Sequence, residues 1–178
     1  VTQNAAVGHI DGVEFNGTVR ATPDLTMTLG IAYLKAKYVS FKDAEVYVAN
    51  GAPGYGNTEV ILPSVAGKRL PYAPDWTGNA SIDYAHTFAS GRVDLNVNGN
   101  YRGRFYFDPN NRVTQHPYVL LNAQLSFAPA GVPGLRLVLW GKNLTNHNYL
   151  QSVLETPFAD AVSWAPPRTF GGRVEFEF

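Results

Sequence analysis

From Val13 to Ala21 the chain alternates, with Val13, Phe15, Gly17, Val19 and Ala21 on one side of an extended backbone and Glu14, Asn16, Thr18 and Arg20 on the other. Thr22-Pro23-Asp24 supplies a tight turn, and the alternation resumes with Leu25, Met27, Leu29, Ile31 and Tyr33 against Thr26, Thr28, Gly30, Ala32 and Leu34, running on towards Tyr38. The two segments therefore predict an antiparallel hairpin. Pro71 and Pro74 deny ladder donors and fix where the next strand begins; Trp76, Gly78, Ala80, Ile82 and Tyr84 then oppose Thr77, Asn79, Ser81 and Asp83. From Val93 to Phe105 the pattern is cleanest, because Val93, Leu95, Val97, Gly99, Tyr101, Gly103 and Phe105 face away from an unbroken polar row of Asp94, Asn96, Asn98, Asn100, Arg102 and Arg104. A further strand sets Val119, Leu121, Ala123, Leu125 and Phe127 against Leu120, Asn122, Gln124 and Ser126. Leu135 to Leu144 is less cleanly two-faced, since Val138 and Trp140 mix with Arg136 and Lys142. The last residues restore the pattern, with Gly172, Val174, Phe176 and Phe178 on one side and Gly171, Arg173, Glu175 and Glu177 on the other.

These seven strands run to roughly nine to fourteen residues, longer than the about five or six usual in globular proteins and enough to cross a bilayer obliquely. Connections alternate in length: short turns near Thr22, Ser90 and Gly131, long segments around Gly51, Asn111 and Asp160. The stretch from Val39 to Pro74 reads as one long irregular loop. A dry core would charge several kcal/mol for each unpaired amide or guanidinium in the polar rows. The expected fold class is thus all-β: an antiparallel up-and-down transmembrane β-barrel segment of about seven strands, part of a larger barrel. Val97, Tyr101, Phe176 and Phe178 are expected to face lipid, and Asn96, Arg102 and Glu175 the lumen. An odd count does not close an up-and-down barrel of the bacterial kind, so further strands are expected before Val1.

Composition narrows the remaining options. A mean hydropathy of −0.14 with 45% hydrophobic residues, and no run near the roughly 20 apolar residues of a membrane helix, suits a wall wet on one side. The 10 Tyr, 10 Phe, 3 Trp and 17 Gly favour strands, turns and interfacial girdles over helices. The absence of Cys removes thiol chemistry, Cys-based zinc sites and disulfides, and a net charge of zero gives no footprint for nucleic acid. Val1-Thr2-Gln3-Asn4 has neither the basic start nor the apolar segment of an export signal, which for an exported protein implies processing or a fragment. His9, His86, His116 and His147 are scattered without metal-ligand spacing, so no metal or cofactor is expected. Gly51 to Gly56 lacks the strand-turn-helix setting and Lys-Ser/Thr end of a phosphate loop. Asp94, Glu175 and Glu177, with Arg102, Arg104 and Arg173, read as charge ladders of a lumen. No enzyme is expected. Asn143 either pins the start of its loop through its amide or ends a solvated strand.

Gly12-Val13-Glu14 opening a strand, Leu70-Pro71-Tyr72-Ala73-Pro74 leading into one, Trp140-Gly141-Lys142-Asn143-Leu144-Thr145-Asn146 followed by Tyr149, and Pro167-Arg168-Thr169-Phe170-Gly171 before the terminal Phe178 stand in order along nearly the whole chain. In these motifs the sequence resembles the C-terminal barrel portion of a TonB-dependent outer-membrane receptor. The resemblance implies a barrel of about 22 strands in the outer membrane. It also implies an N-terminal plug domain and a TonB-contacting segment outside this chain, with residues 1–178 as the final strands. A scarce large solute, such as a ferric siderophore, cobalamin or an oligosaccharide, would bind at the outer face. Expected partners are outer-membrane lipid, the upstream strands and plug, TonB through the missing N-terminal region, and the barrel-assembly machinery, which would read Phe176 and Phe178. Solute contact is expected on the long loops, where Tyr47, Tyr55, Tyr106, Asp108, Arg112 and Trp164 offer aromatic surface and a few charges. A passive porin shares all of the strand physics and is the alternative. A soluble ligand-binding barrel is disfavoured by its need for an apolar interior.

Overall fold

The computed structural model describes residues 7–51 and 56–177. In chain order the strands are β1 (Gly8–Thr22), β2 (Leu25–Tyr38), β3 (Lys42–Ala49), β4 (Asn57–Ser64), β5 (Trp76–Phe88), β6 (Gly91–Arg102), β7 (Phe105–Tyr106), β8 (Thr114–Gln115), β9 (Tyr118–Pro129), β10 (Leu135–Lys142), β11 (Leu150–Glu155), β12 (Asp160–Trp164) and β13 (Thr169–Phe176). Seven of them form one antiparallel sheet in the order β1-β2-β5-β6-β9-β10-β13, the up-and-down wall that the alternation predicts. Phe178 lies outside the described residues.

Register carries the two-faced pattern across the whole wall. Phe15 stands opposite Ile31, Ile31 opposite Gly78, Gly78 opposite Tyr101 and Tyr101 opposite Val119, so partners of like polarity share a face at one level. A row further on, Met27, Ile82, Val97 and Ala123 continue that face, and Leu135 opposite Phe176 extends it to the last strand. The apolar face is bare: Val13, Phe15, Val19, Leu139, Phe170 and Val174 are each more than 60% exposed. On the other face Asn96, Arg102 and Glu175 stand as expected. There Asn122 Nδ2 donates to Asn98 Oδ1 at 2.9 Å, Asn98 Nδ2 to Asn96 Oδ1 at 3.0 Å and Asn96 Nδ2 to Asp83 Oδ1 at 2.6 Å. The backbone N–H of Asn143 donates into the head of this chain, to Asn122 Oδ1 at 3.0 Å. One string of amides thus runs down the polar face and ends on a carboxylate.

Val138 and Trp140, the residues that blur the sixth wall strand, both sit on this polar face, opposite Ser126 and Gln124. A side chain at Gly171 would meet the Trp140 ring at 2.3 Å, so the missing Cβ lets the indole lie against the neighbouring strand.

Two expectations are revised. The stretch from Val39 to Pro74 is not irregular throughout: β3 and β4 pair as a hairpin, with Ala44 opposite Leu62 and Val46 opposite Val60. Its apolar side packs on Tyr38, Phe41 and Val65, the main buried cluster. The strand from Val93 to Phe105 also stops early, at Arg102, because its partner β5 begins at Trp76 and Gly103 N–H bonds the Trp76 carbonyl at 2.8 Å as the ladder ends.

Candidate functional site

The short turns lie at one end of the wall, and at the other the long connections fold on one another. Phe107 to Val113 turns on Asp108, which is only 2% exposed; its carboxylate accepts the backbone N–H groups of Arg112 at 3.0 Å and Val113 at 2.8 Å. Asn111 adopts a left-handed backbone with φ 59°, a conformation its short amide tolerates, and pairs with Arg69 in both directions, donating to its carbonyl at 2.9 Å and accepting its N–H at 2.8 Å. Lys68 Nζ donates to the Asn110 carbonyl at 2.7 Å.

This turn delivers Arg112 to the β11–β12 hairpin. Its guanidinium donates to both oxygens of Asp160, at 2.8 and 2.7 Å, and to Glu155. Asn57, at the head of β4, donates to the same Asp160 carboxylate at 2.8 Å and to the Thr156 carbonyl at 3.0 Å, while its backbone N–H bonds Pro157. A side chain at Gly56 would meet the Phe158 carbonyl at 2.2 Å, so the absent Cβ allows the two hairpins to touch. Three connections far apart in sequence are thus clasped at Arg112 and Asp160. The two carboxylates respond in opposite senses. Asp160 is held below the usual carboxylate range, first by the Arg112 hydrogen bonds, whereas burial pushes Glu155 up, helped by the charges of Asp108 and Asp160. The same two acids hold the Arg112 guanidinium charged.

Beside the clasp lies a cleft of about 430 Å³ between β3–β4, the Phe107–Pro109 segment and β11. Tyr38, Phe41, Tyr47 and Phe107 give it aromatic surface; Glu45, Glu59, Asp108 and Glu155 give it carboxylates. Of the residues expected at a solute site, Tyr47 and Asp108 line this cleft, and Arg112 reaches it through Glu155. Tyr106 borders a different hollow of about 300 Å³, with Arg69, Trp76, Tyr101 and Arg104. Trp164 stands exposed at the end of β12, opposite Leu150. Tyr55 lies outside the described residues. Phe176 closes β13 on the apolar face. Sequence reasoning missed Asn57 and Glu155 and had Asp160 only as a loop midpoint; the one available signal was an isolated Arg112 whose charge needs a distant acid.

Behind the clasp, the Trp140-to-Asn146 motif is a built turn. Asn143, 6% exposed and left-handed at φ 49°, accepts the His147 N–H at 3.0 Å and donates to its carbonyl at 3.0 Å, so its amide pins the loop. Tyr149 is thereby stacked on Tyr118, ring centres 4.5 Å apart. Among the described residues no group of three or more His, Cys, Asp or Glu is placed to hold a metal ion.

A tall antiparallel wall, bare and apolar outside, amide-lined inside, with short turns at one rim and folded hairpins at the other, defines a segment of a large β-barrel. The TonB dependent receptor-like β-barrel family matches residues 1–144, and the chain belongs to that family. Its fold is similar to that of the ferric yersiniabactin uptake receptor from Yersinia pestis, with a TM-score of 0.77 at 18% identity over 98% of this chain and 24% of that one. A siderophore receptor from Acinetobacter baumannii gives 0.72 at 17% identity, over 95% of this chain and 22% of its own length. The ferric preacinetobactin receptor of the same organism gives 0.68 at 16%, over 99% and 23%. The chain therefore spans about a quarter of the length of these receptors.

Proposed function

We propose that this chain supplies part of the wall and outer rim of an outer-membrane receptor that captures a scarce large solute, with a ferric siderophore as the leading candidate. In the intact protein a plug domain closes the lumen and TonB supplies the energy for uptake. The observation that carries this reading is the rim itself: three loop elements held together around an aromatic cleft, on a wall of the receptor family. A passive pore has no need of such a cleft. The four carboxylates lining it disfavour strongly anionic solutes, and the tyrosines suit stacking against aromatic or sugar-like groups. The likeness to a ferric yersiniabactin receptor, a siderophore receptor and a ferric preacinetobactin receptor supports the same class of solute.

The test removes the β3–β4 hairpin from the full-length receptor, replacing Asp43 to Pro63 with a short Gly/Ser link. Affinity for the ferric siderophore is expected to fall at least tenfold, while the barrel still inserts and keeps its heat-modifiable migration on gels. Unchanged affinity in correctly inserted protein moves binding away from this rim.

A further inference from the structure

The cations of the wall are sorted by face and by height. At the short-turn end Arg20, Arg92, Arg136 and Arg173 fall on the polar face, opposite Thr26, Ala128, Glu175 and Val138. Arg102 and Lys142 follow them, opposite Thr77 and Thr169. No Lys or Arg of the described wall points outward at that end. At the loop end, where Arg102 and Lys142 still face inward, outward cations appear as well. Lys35 and Lys37 continue the outward row of Leu29, Ile31 and Tyr33, opposite Asp11 and His9. Arg69 bridges to Lys37 and so shares its side. Arg104, expected in the lumen row, instead lines the 300 Å³ hollow with Arg69 and with Trp76 and Tyr101 of the apolar face, because β6 ends at Arg102 and Phe105 beyond it is buried with Tyr118 of the polar face. Arg168 lies with its guanidinium 5.6 Å from the ring centre of outward Phe170.

Directly below this belt is an aromatic one. Tyr33 and Trp76 touch at 4.9 Å between ring centres, with Tyr101 beside them on the next strand. Tyr84, His86 and Phe88 form the opposite aromatic row, at the short-turn end. From Trp76 to Tyr84 is about 26 Å of strand, or about 20 Å along the normal at a tilt near 40°, which approaches the height of the apolar band on outer-membrane barrels. The cations therefore lie at headgroup level. Two carboxylates of this region are already engaged: Asp75, which pairs with Arg69, and Asp11, which stands opposite Lys35 and pairs with His9 at 2.9 Å. The side chains of Lys35, Lys37 and Arg104 are exposed and make no hydrogen bond or ion pair among the described residues.

The geometry points to a binding site for the phosphorylated headgroup of an outer-leaflet lipid, formed by Lys35, Lys37, Arg69 and Arg104 above Tyr33, Trp76 and Tyr101. This rests on the outer-membrane reading above. The aromatic rings anchor at the interface, and the hollow bordered by Arg69 and Arg104 accepts a phosphate that the two lysines flank as point charges. Among the described residues the outward face at the other rim carries no Lys or Arg, so the site is expected on one leaflet only.

The test uses full-length receptor purified in detergent and native mass spectrometry with two probes, bisphosphorylated lipid A and its dephosphorylated form. Wild type is expected to retain lipid A at least fivefold better than the dephosphorylated lipid. Lys35→Gln/Lys37→Gln/Arg104→Gln is expected to abolish that preference, and the inward control Arg20→Gln/Arg92→Gln to keep it. Equal retention of the two probes by wild type, or undiminished preference in the triple variant, overturns the inference. Membrane fractionation is scored separately. A receptor recovered in the outer membrane whose lipid binding ignores these substitutions overturns this inference alone, and one absent from that fraction overturns both readings.

Discussion

Asp160 and Glu155 share one guanidinium yet titrate in opposite directions, and the sign of each decides how the rim answers acid. Asp160 has a depressed folded pKa, so the stability it lends is present above the ordinary aspartate value of about 3.9 and is lost only as pH falls below that. Glu155 has a raised folded pKa, so protonating it favours the folded rim as pH falls towards the unfolded value of about 4.3. Between pH 7 and 5 the clasp is therefore expected to hold. Backbone hydrogen exchange in β4 and β11–β12 of the full-length protein checks this: protection is expected to persist at pH 5 and to fall near pH 3. Protection already lost at pH 5 contradicts this, since protonating Glu155 in that range favours the folded rim and Asp160 is still ionised. None of this was legible in the sequence, because Arg112, Asp160 and Asn57 lie 48 and 103 positions apart and no periodicity relates them.

At the scale of the strand, the alternation made nearly the whole wall readable, since a period of two fixes the face of every side chain once one is known. Its failures have local causes. The apolar alternation of β3 and β4 was present in Ala44, Val46 and Val48 and in Val60 and Leu62, but the Gly/Pro-rich segment between the two arms obscured it. Trp140 blurred β10 because a large ring on a polar face reads as apolar. It is tolerated there because Gly171 leaves it room, and adjacent glycines make a sharp test. In Gly171→Leu the new side chain meets the indole at its first carbon, with a destabilisation of about 1–3 kcal/mol from overpacking. In Gly172→Leu the side chain points to the apolar face and meets Leu139 Cδ2, a flexible tip, at 3.2 Å and the Val138 carbonyl oxygen at 3.5 Å, an ordinary van der Waals contact. Thermal unfolding of the full-length barrel in detergent is expected to drop by several degrees for the first and to change little for the second. Equal shifts mean that Trp140 is free to leave the wall.

Taken whole, the described sheet has a bare apolar face, and β1 and β13 each leave one edge without a partner. Free strand edges and a broad apolar surface together drive association in water. Residues 1–178 expressed alone are therefore expected to require detergent or the remainder of the barrel, and size-exclusion chromatography without detergent is expected to return aggregate. A monodisperse monomer with a cooperative melt contradicts this.

The clasp at Arg112 and Asp160 joins loop to loop, whereas the wall is joined strand to strand by its own ladder. An assembly divided in this way behaves as two exchangeable parts. Moved together with the Tyr38 and Tyr118 rings on which they pack, the β3–β4 hairpin, the Phe107–Val113 turn and the β11–β12 hairpin are expected to act as a cassette that keeps its shape on another barrel of this family. Moved singly, any one of them arrives without the others that give it form.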